Sequence, residues 1–492
     1  MLAPALNHHP RNNAERLLES FAARPANVLV YKNTASLEAG LAGECDLDLV
    51  VSLKCLASFE AVVQEQGGVR AVPSRFYDNA VPSRRDWIVP LSGEKVLHFD
   101  IASPIVVGRK FCKAYRLTHG IGLREAAIPL VSFEDEARFA LARFAFNHPA
   151  GLFDRWLTCP DELRRVVEPV LQPSVTNPEW EWREGAESAQ CRFHRTGGAI
   201  TIERASLAAI RKAVRRANRS SALAPLRDGL VHASRRTAHA LVRRIGRLLP
   251  GSAIGKRHLA TGTIIALIGP DGVGKSTQSA DLARHFGHRL ASCPIYLGSN
   301  DGSWMRIRRK LALGRKPRAV ARSAARSGAA QRTGERSWLH AHGSALWRLI
   351  IALQRMRALR QALRLAKSGV IVIADRWPQI LEPGLLDGPS VQPPARYRIA
   401  QALWRAEQRI YRALARHRPG LMIHLDCDFA TSHQRKPGDI SAEAFAARLD
   451  LMARMRAADG AIVVVDARQS REQVFHAIAH EAWRHLGAIN RG

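Results

Sequence analysis

The sequence predicts an α/β protein in two unlike parts: a C-terminal parallel sheet flanked by helices, preceded by a smaller N-terminal α+β domain. Three observations lead there. The run Gly269–Ser276, GPDGVGKS, sits between an apolar strand-like stretch, Thr263–Ile268, and a helix-like stretch, Ser276–Phe286. Short apolar runs at Pro294–Leu297, Val370–Ala374, Leu421–Leu425 and Ala461–Val465 then alternate with helical segments, the pattern of a parallel sheet covered on both faces. Near the other end, Gly43–Ser52 reads as a strand that begins acidic and ends apolar.

Length and composition bound the rest. At 492 residues the chain is long enough for about three domains. Its texture divides it into 1–158, a connecting stretch 159–258 with a basic helical segment, and 259–492. Hydrophobic residues make up 46% and charged residues 24%, which excludes a disordered polyelectrolyte. No apolar run approaches the roughly 18 residues of a membrane span, and the first residues lack the charged-then-apolar layout of an export signal. The seven cysteines are scattered without a CxxC pair, so reduced thiols in a cytoplasmic setting are expected and a zinc ribbon is not. A net charge of +31 draws in polyanions: nucleotides, nucleic acid or an anionic membrane face. No helix-turn-helix, zinc-finger or RNP pattern accompanies it, which argues against specific nucleic-acid reading.

In chain order, Asn27–Tyr31 reads as the first strand. In the next, side chains alternate, so Asp46 and Asp48 share one face while Leu47 and Leu49 take the other. Two carboxylates so placed suit a divalent cation. Asp100, in Val96–Ile101, shares a face with His98 and is the third acid. This pattern resembles the nucleotidyltransferase fold, whose early DxD pair and later strand aspartate hold metal ions for nucleotidyl transfer. The resemblance spans about the first 110 residues and implies a metal at Asp46, Asp48 and Asp100. That family's Gly-Ser loop is missing: the corresponding stretch runs Tyr31-Lys-Asn-Thr-Ala35.

An aromatic-rich helix is expected over Phe133–Trp156, closing the first domain, and Pro160, Pro169 and Pro173 mark the loop-broken stretch that follows. From about residue 200 to 258 the chain is basic with helical period. Val231, Leu241, Ile245 and Leu248 form a stripe beside Arg235, Arg236, Arg243 and Arg244. Such a helix either lies on an anionic membrane or packs its stripe on a neighbouring domain.

The glycine run carries the strongest chemical signal. It fits the phosphate-loop pattern GxxxxGK[ST] in full. Gly269, Gly272 and Gly274 allow the turn that points backbone N–H groups at phosphate oxygens, Lys275 reaches the terminal phosphates, and the Ser276 hydroxyl is a Mg²⁺ ligand. The expected nucleotide contacts are Gly269, Asp271, Gly272, Val273, Gly274, Lys275, Ser276 and Thr277, with ATP and Mg²⁺ as cofactors.

Around this loop the chain resembles the thymidylate kinase family of P-loop NTPases. GPDGVGKSTQ is close to that family's loop, Val370–Trp377 resembles its strand followed by Asp-Arg, and Leu421–Asp428 followed by Arg435 resembles its fourth strand and arginine-bearing LID. The resemblance implies that Asp375 holds Mg²⁺, that Arg376 clamps the acceptor's phosphate, that Arg435 closes over ATP, and that Asp271 faces the acceptor's sugar. After Asp-Arg the chain departs from the family, reading Trp377-Pro-Gln-Ile-Leu-Glu-Pro-Gly, and the base-binding helix is replaced by Trp347–Leu365 with Arg348, Arg355 and Arg357. Trp304–Arg336 is crowded with arginine, glycine and alanine, as in a basic flap or an insertion, while His340 and His342 read as ordinary histidines.

The expected function is phosphoryl transfer from ATP to a nucleoside monophosphate or another small phosphorylated acceptor. Two alternatives stand beside it: an ATP-binding regulatory switch without turnover, and nucleotidyl transfer through the N-terminal DxD.

Overall fold

A computed structural model of the chain describes residues 17, 20, 28–32, 37–51, 54–72, 85–91, 95–102, 106–107, 110–111, 131–147, 155–184, 186–217, 257–298, 338–438 and 440–490. The basic stripe around Val231–Leu248 and the arginine-rich Trp304–Arg336 lie outside them, as does Cys112. The chain divides into two compact units, Met1–Pro250 and Gly251–Gly492.

In the first unit, β1 (Val28–Lys32) is followed by α1 (Leu37–Leu41), β2 (Leu47–Val51), α2 (Leu56–Glu65), β3 (Val69–Val72), β4 (Arg85–Pro90) and β5 (Val96–Ala102). The strands lie in the order β1-β2-β5-β4-β3, with β2 and β5 parallel and the other pairings antiparallel. Alternation explains the core. Leu47, Leu49 and Val51 of β2, Trp87 and Val89 of β4, and Leu97, Phe99 and Ile101 of β5 are buried with Phe59 and Val62 of α2. Phe59 meets Phe99 edge to face at 6.0 Å. A two-strand ribbon follows, β6 (Val106–Val107) and β7 (Lys110–Phe111).

The stretch that prolines marked as a broken connection is helical over 161–170 and irregular over 171–178, and regular elements flank it. Helix α3 (Phe133–Asn147) leads to β8 (Trp156–Thr158), α4 (Asp161–Val167), β9 (Glu179–Glu184), β10 (Glu187–Thr196), β11 (Ala199–Glu203) and α5 (Arg204–Ala217). The four strands pair antiparallel in the order β8-β11-β10-β9. Their apolar face packs with α3, α4 and α5 in one core around Leu141, Trp182, Phe193, Ile202, Leu207 and Val214. Pro160 occupies the N-cap position at the start of α4, without a capping hydrogen bond, and the cysteines Cys159 and Cys191 are buried free thiols, pushed up to about 12 by desolvation. This layer belongs to the same compact unit as the first sheet.

The second unit has the parallel sheet that the sequence predicts. After β12 (His258–Leu259) come β13 (Thr263–Ile268), α6 (Lys275–Gly287), β14 (Ser292–Tyr296), α7 (Trp338–Lys367), β15 (Ile371–Asp375), α8 (Arg398–Leu414), β16 (Leu421–Asp426), α9 (Phe429–Arg435), α10 (Ala442–Ala458), β17 (Val463–Asp466) and α11 (Arg471–Ile489). The order is β14-β15-β13-β16-β17, all parallel. Every residue of β13 is buried, as a central strand with helices on both faces requires. His342, in α7, packs edge-on against the Tyr397 ring at 5.6 Å. No helix among the described residues is long and apolar enough to cross a membrane.

Candidate nucleotide site

The carboxyl end of β13 sets the site, because in an open α/β sheet the loops beyond the strand ends form the crevice. The loop leaves β13 at Gly269 and enters α6 at Lys275. Gly272 has φ +85, and a Cβ there would meet Ser432 Oγ at 2.6 Å, so only glycine lets the loop lie under α9. Gly274, with φ +94, takes the N-cap position of α6 and offers no capping side chain. The first N–H groups of that helix thus have no side-chain partner at the cap, an arrangement that favours an anion. Val273, within the loop, is buried.

Lys275 is buried and folds over the loop, donating to the carbonyls of Gly269 at 2.9 Å and Pro270 at 2.5 Å. Burial, with Arg376 nearby, brings its ammonium down to about 8. Ser276 Oγ donates to Asp375 Oδ2 at 2.5 Å. Asp375 is the last residue of β15, level with Leu267 of β13 and Tyr296 of β14. Burial pushes its carboxyl up despite the Ser276 hydrogen bond, and its Oδ1 is buried with no hydrogen-bond partner.

Asp271 is the hub of the cationic groups. Arg376 donates to its Oδ1 at 2.6 Å, Arg448 of α10 donates to its Oδ2, and Lys275 Nζ lies 3.9 Å from Oδ1. Burial opposes ionisation there, but the three cations prevail and hold the carboxyl at about 2. The Asp271 carbonyl accepts from Ser432 Oγ at 2.7 Å, which ties the loop to α9. Asp271 is thus engaged by two arginines at the mouth of the loop.

Of the residues singled out from sequence, Lys275, Ser276, Asp271, Asp375 and Arg376 converge here. Thr277 follows on the exposed first turn of α6. Arg435 stands apart: it ends α9, is exposed, and donates to the Gln469 carbonyl at 3.2 Å. Two participants were missed. Neither Arg448, one of many arginines on a helix, nor Asp387, in Leu-Leu-Asp-Gly, stands in a local motif that marks it. Asp387 accepts from Arg376 at 3.3 Å and from Arg355 at 2.6 Å.

In the first unit, register places Asp48 of β2 opposite Asp100 of β5, with Asp86 of β4 on the other side of Asp100. All three are buried, on the sheet face away from α2. Asp46 lies just before β2, and its Oδ1 is 2.8 Å from Nδ1 of the buried His98, whose Nε2 is 2.8 Å from Asp86 Oδ1. Among the described residues, no group of three or more His, Cys, Asp or Glu is arranged to hold a metal ion.

Comparisons with known proteins agree with the nucleotide site. No family model matches the chain. It is 33% identical over 220 residues to the uncharacterized ATP-binding protein YghR of Escherichia coli (strain K12), covering 43% of this chain and 83% of the relative. It is 28% identical over 219 residues to the uncharacterized ATP-binding protein YghS of the same strain, covering 44% of this chain and 90% of that relative. With its glycine loop, buried lysine and Ser276–Asp375 pair in place, and with that extent of identity, the chain belongs to the family of the ATP-binding protein YghR.

Proposed function

We propose that the unit Gly251–Gly492 binds ATP with Mg²⁺ and transfers its terminal phosphoryl group to a small phosphorylated acceptor, in the manner of the thymidylate kinase class that its motifs resemble. The observation that carries this reading is the convergence of Lys275, Ser276, Asp375 and Arg376 around the glycine loop. The names of the relatives support the nucleotide as ATP.

The residues present fit a Mg²⁺ ion. The Ser276 hydroxyl and the unpartnered Asp375 Oδ1 are hard oxygen donors beside the phosphate cradle. When bound there, the ion supplies charge neutralisation to the phosphates. The chain's own groups do the remainder. The loop N–H groups and the α6 N-terminus cradle the phosphates, and Lys275, released from two carbonyls, meets the negative charge of the transferring group. Arg376 and Arg448, from different elements, face one carboxylate and are placed to receive an acceptor's phosphate in its stead. Catalysis in this scheme is positioning and charge stabilisation.

The test is ADP release from ATP and Mg²⁺ across a panel of nucleoside monophosphates and phosphorylated sugars. Acceptor-dependent ADP that requires Mg²⁺ is the expected result. Tight ATP binding with no acceptor-dependent turnover would replace the kinase by a nucleotide switch. One observation favours that second reading: both arginines facing the acceptor side are already ion-paired with Asp271.

A further inference from the structure

Among the described residues, three that are not glycine have positive φ: Arg376 at 76°, Leu386 at 36° and Asp387 at 20°. All three belong to one contact. Left-handed backbone is disfavoured for side chains with a Cβ, so it persists only where surrounding interactions hold it. Arg376 turns sharply out of β15, its own N–H donating to the Leu267 carbonyl at 3.0 Å. The loop that follows returns through Leu386 and Asp387 to meet it from behind, Asp387 Oδ2 accepting from Arg376 at 3.3 Å.

That loop is pinned along its length. The Gln379 amide nitrogen donates to the carbonyls of Glu382 at 2.8 Å and Leu385 at 2.7 Å. A Cβ on Gly388 would meet that nitrogen at 2.2 Å, so the turn closes tightly. Ser390 N donates to Glu407 of α8 at 3.0 Å. Arg355, in the middle of α7 and only 4% exposed, grips Asp387 twice, donating to Oδ1 at 2.6 Å and to the carbonyl at 2.9 Å, and also donates to the Tyr411 hydroxyl.

Arg376 therefore stands between two unlike carboxylates. Asp271 is at the mouth, 20% exposed and shared with Arg448. Asp387 is 8% exposed and locked by Arg355. An incoming phosphate dianion competes with the outer carboxylate and leaves the inner one in place. The Arg376 Nε is buried without a hydrogen-bond partner.

We infer that Asp387 is a positioning residue for the acceptor, holding Arg376 from behind so that its guanidinium is presented to the phosphate of a phosphorylated acceptor when Asp271 gives way. The inference deepens the proposed kinase reading and rests on its acceptor side. Asp387 touches no substrate; Arg376 does.

The experiment uses the full-length chain saturated with Mg²⁺ and a non-hydrolysable ATP analogue, so that the nucleotide's own phosphate positions are filled, with orthophosphate as probe. Asp387→Asn is expected to weaken orthophosphate binding at least about tenfold, with affinity for the analogue unchanged within about twofold. Asp387→Glu, which restores the charge, recovers part of the loss. Arg355→Gln, which leaves Asp387 in place but unlocks it, gives the same selective loss and serves if Asp387→Asn melts below the assay temperature. Orthophosphate binding by Asp387→Asn equal to wild type overturns the inference, as does parallel loss of analogue and orthophosphate with falling stability. A wild-type chain that binds orthophosphate but turns over no acceptor sinks the kinase reading and leaves this inference standing.

Discussion

Ser276 Oγ donates to one oxygen of Asp375 at 2.5 Å, and the other oxygen, Oδ1, is buried without a hydrogen-bond partner. A buried acceptor left open costs about 1–3 kcal/mol, a cost that a bound cation removes. Asp375→Asn keeps the shape and removes the charge. It is expected to raise the Mg²⁺ concentration needed for half-maximal nucleotide turnover about tenfold or more, while Mg²⁺-free ATP binding survives. An unchanged Mg²⁺ requirement would remove Asp375 from the metal site.

Lys275 supplies a pH test. Burial lowers its ammonium to about 8, against 10.5 ordinarily, so in the empty site it begins to lose its proton just above neutrality. Nucleotide phosphates favour the charged form, so binding takes up part of a proton near pH 8 and approaches one proton per event above it. ATP affinity should fall about tenfold per pH unit beyond 8 and be flat below it. Lys275→Ala should abolish this slope and slow acceptor-dependent turnover about a hundredfold or more, with the fold intact by circular dichroism. Calorimetric titrations from pH 6.5 to 9.5 decide it. A wild-type profile as flat as the variant's would count against a phosphate-binding Lys275.

Thymidylate should be a poor acceptor. The stretch after Asp375-Arg376 departs from the nucleoside-contacting pattern of thymidylate kinases, and it forms the pinned loop that carries Asp387. Steady-state assays against other monophosphates and phosphorylated sugars check this. A kcat/KM for thymidylate of about 10⁴ M⁻¹s⁻¹ or above would show that the loop tolerates the nucleoside.

His424, in β16 between Ile268 and Val464, is fully buried, and neither ring nitrogen has a hydrogen-bond partner. Burial drives its pKa down to about 4. Between pH 6.5 and 4 the unfolded chain takes up a proton there that the folded chain refuses, so stability falls as the pH falls through that window. His424→Leu should raise the melting temperature at neutral pH, by an amount corresponding to about 1–3 kcal/mol, and reduce the acid slope. A destabilised variant would mean that the imidazole has a use in the fold.

Much of the nucleotide site was legible because its chemistry depends on residues close in sequence. Gly272, Gly274, Lys275 and Ser276 lie within one turn of chain, and the strand before and helix after them follow from apolar pattern alone. Asp375-Arg376 was legible through the resemblance to the thymidylate kinase family, whose strand ends in the same pair. The helix Asp161–Val167 was not, because prolines such as Pro160 signal a break equally well at a helix start and in a loop. Asp46 shows another limit. Alternation grouped it with Asp48, but β2 begins only at Leu47, and Asp46 meets His98 on a strand about fifty residues away.

The sequence by itself determined the parallel sheet of the second unit, the phosphate loop and the charges at the strand ends, because period and local spacing encode them directly. Tertiary structure alone decided how those charges pair. Arg448 reaches Asp271 across 177 positions and Arg355 reaches Asp387 across 32, and in a chain with 74 lysines and arginines nothing local distinguishes these from the rest. An ion pair forms where the folded backbone brings two side chains within a few ångströms and excludes water from them, and neither condition is written in the neighbours of either residue.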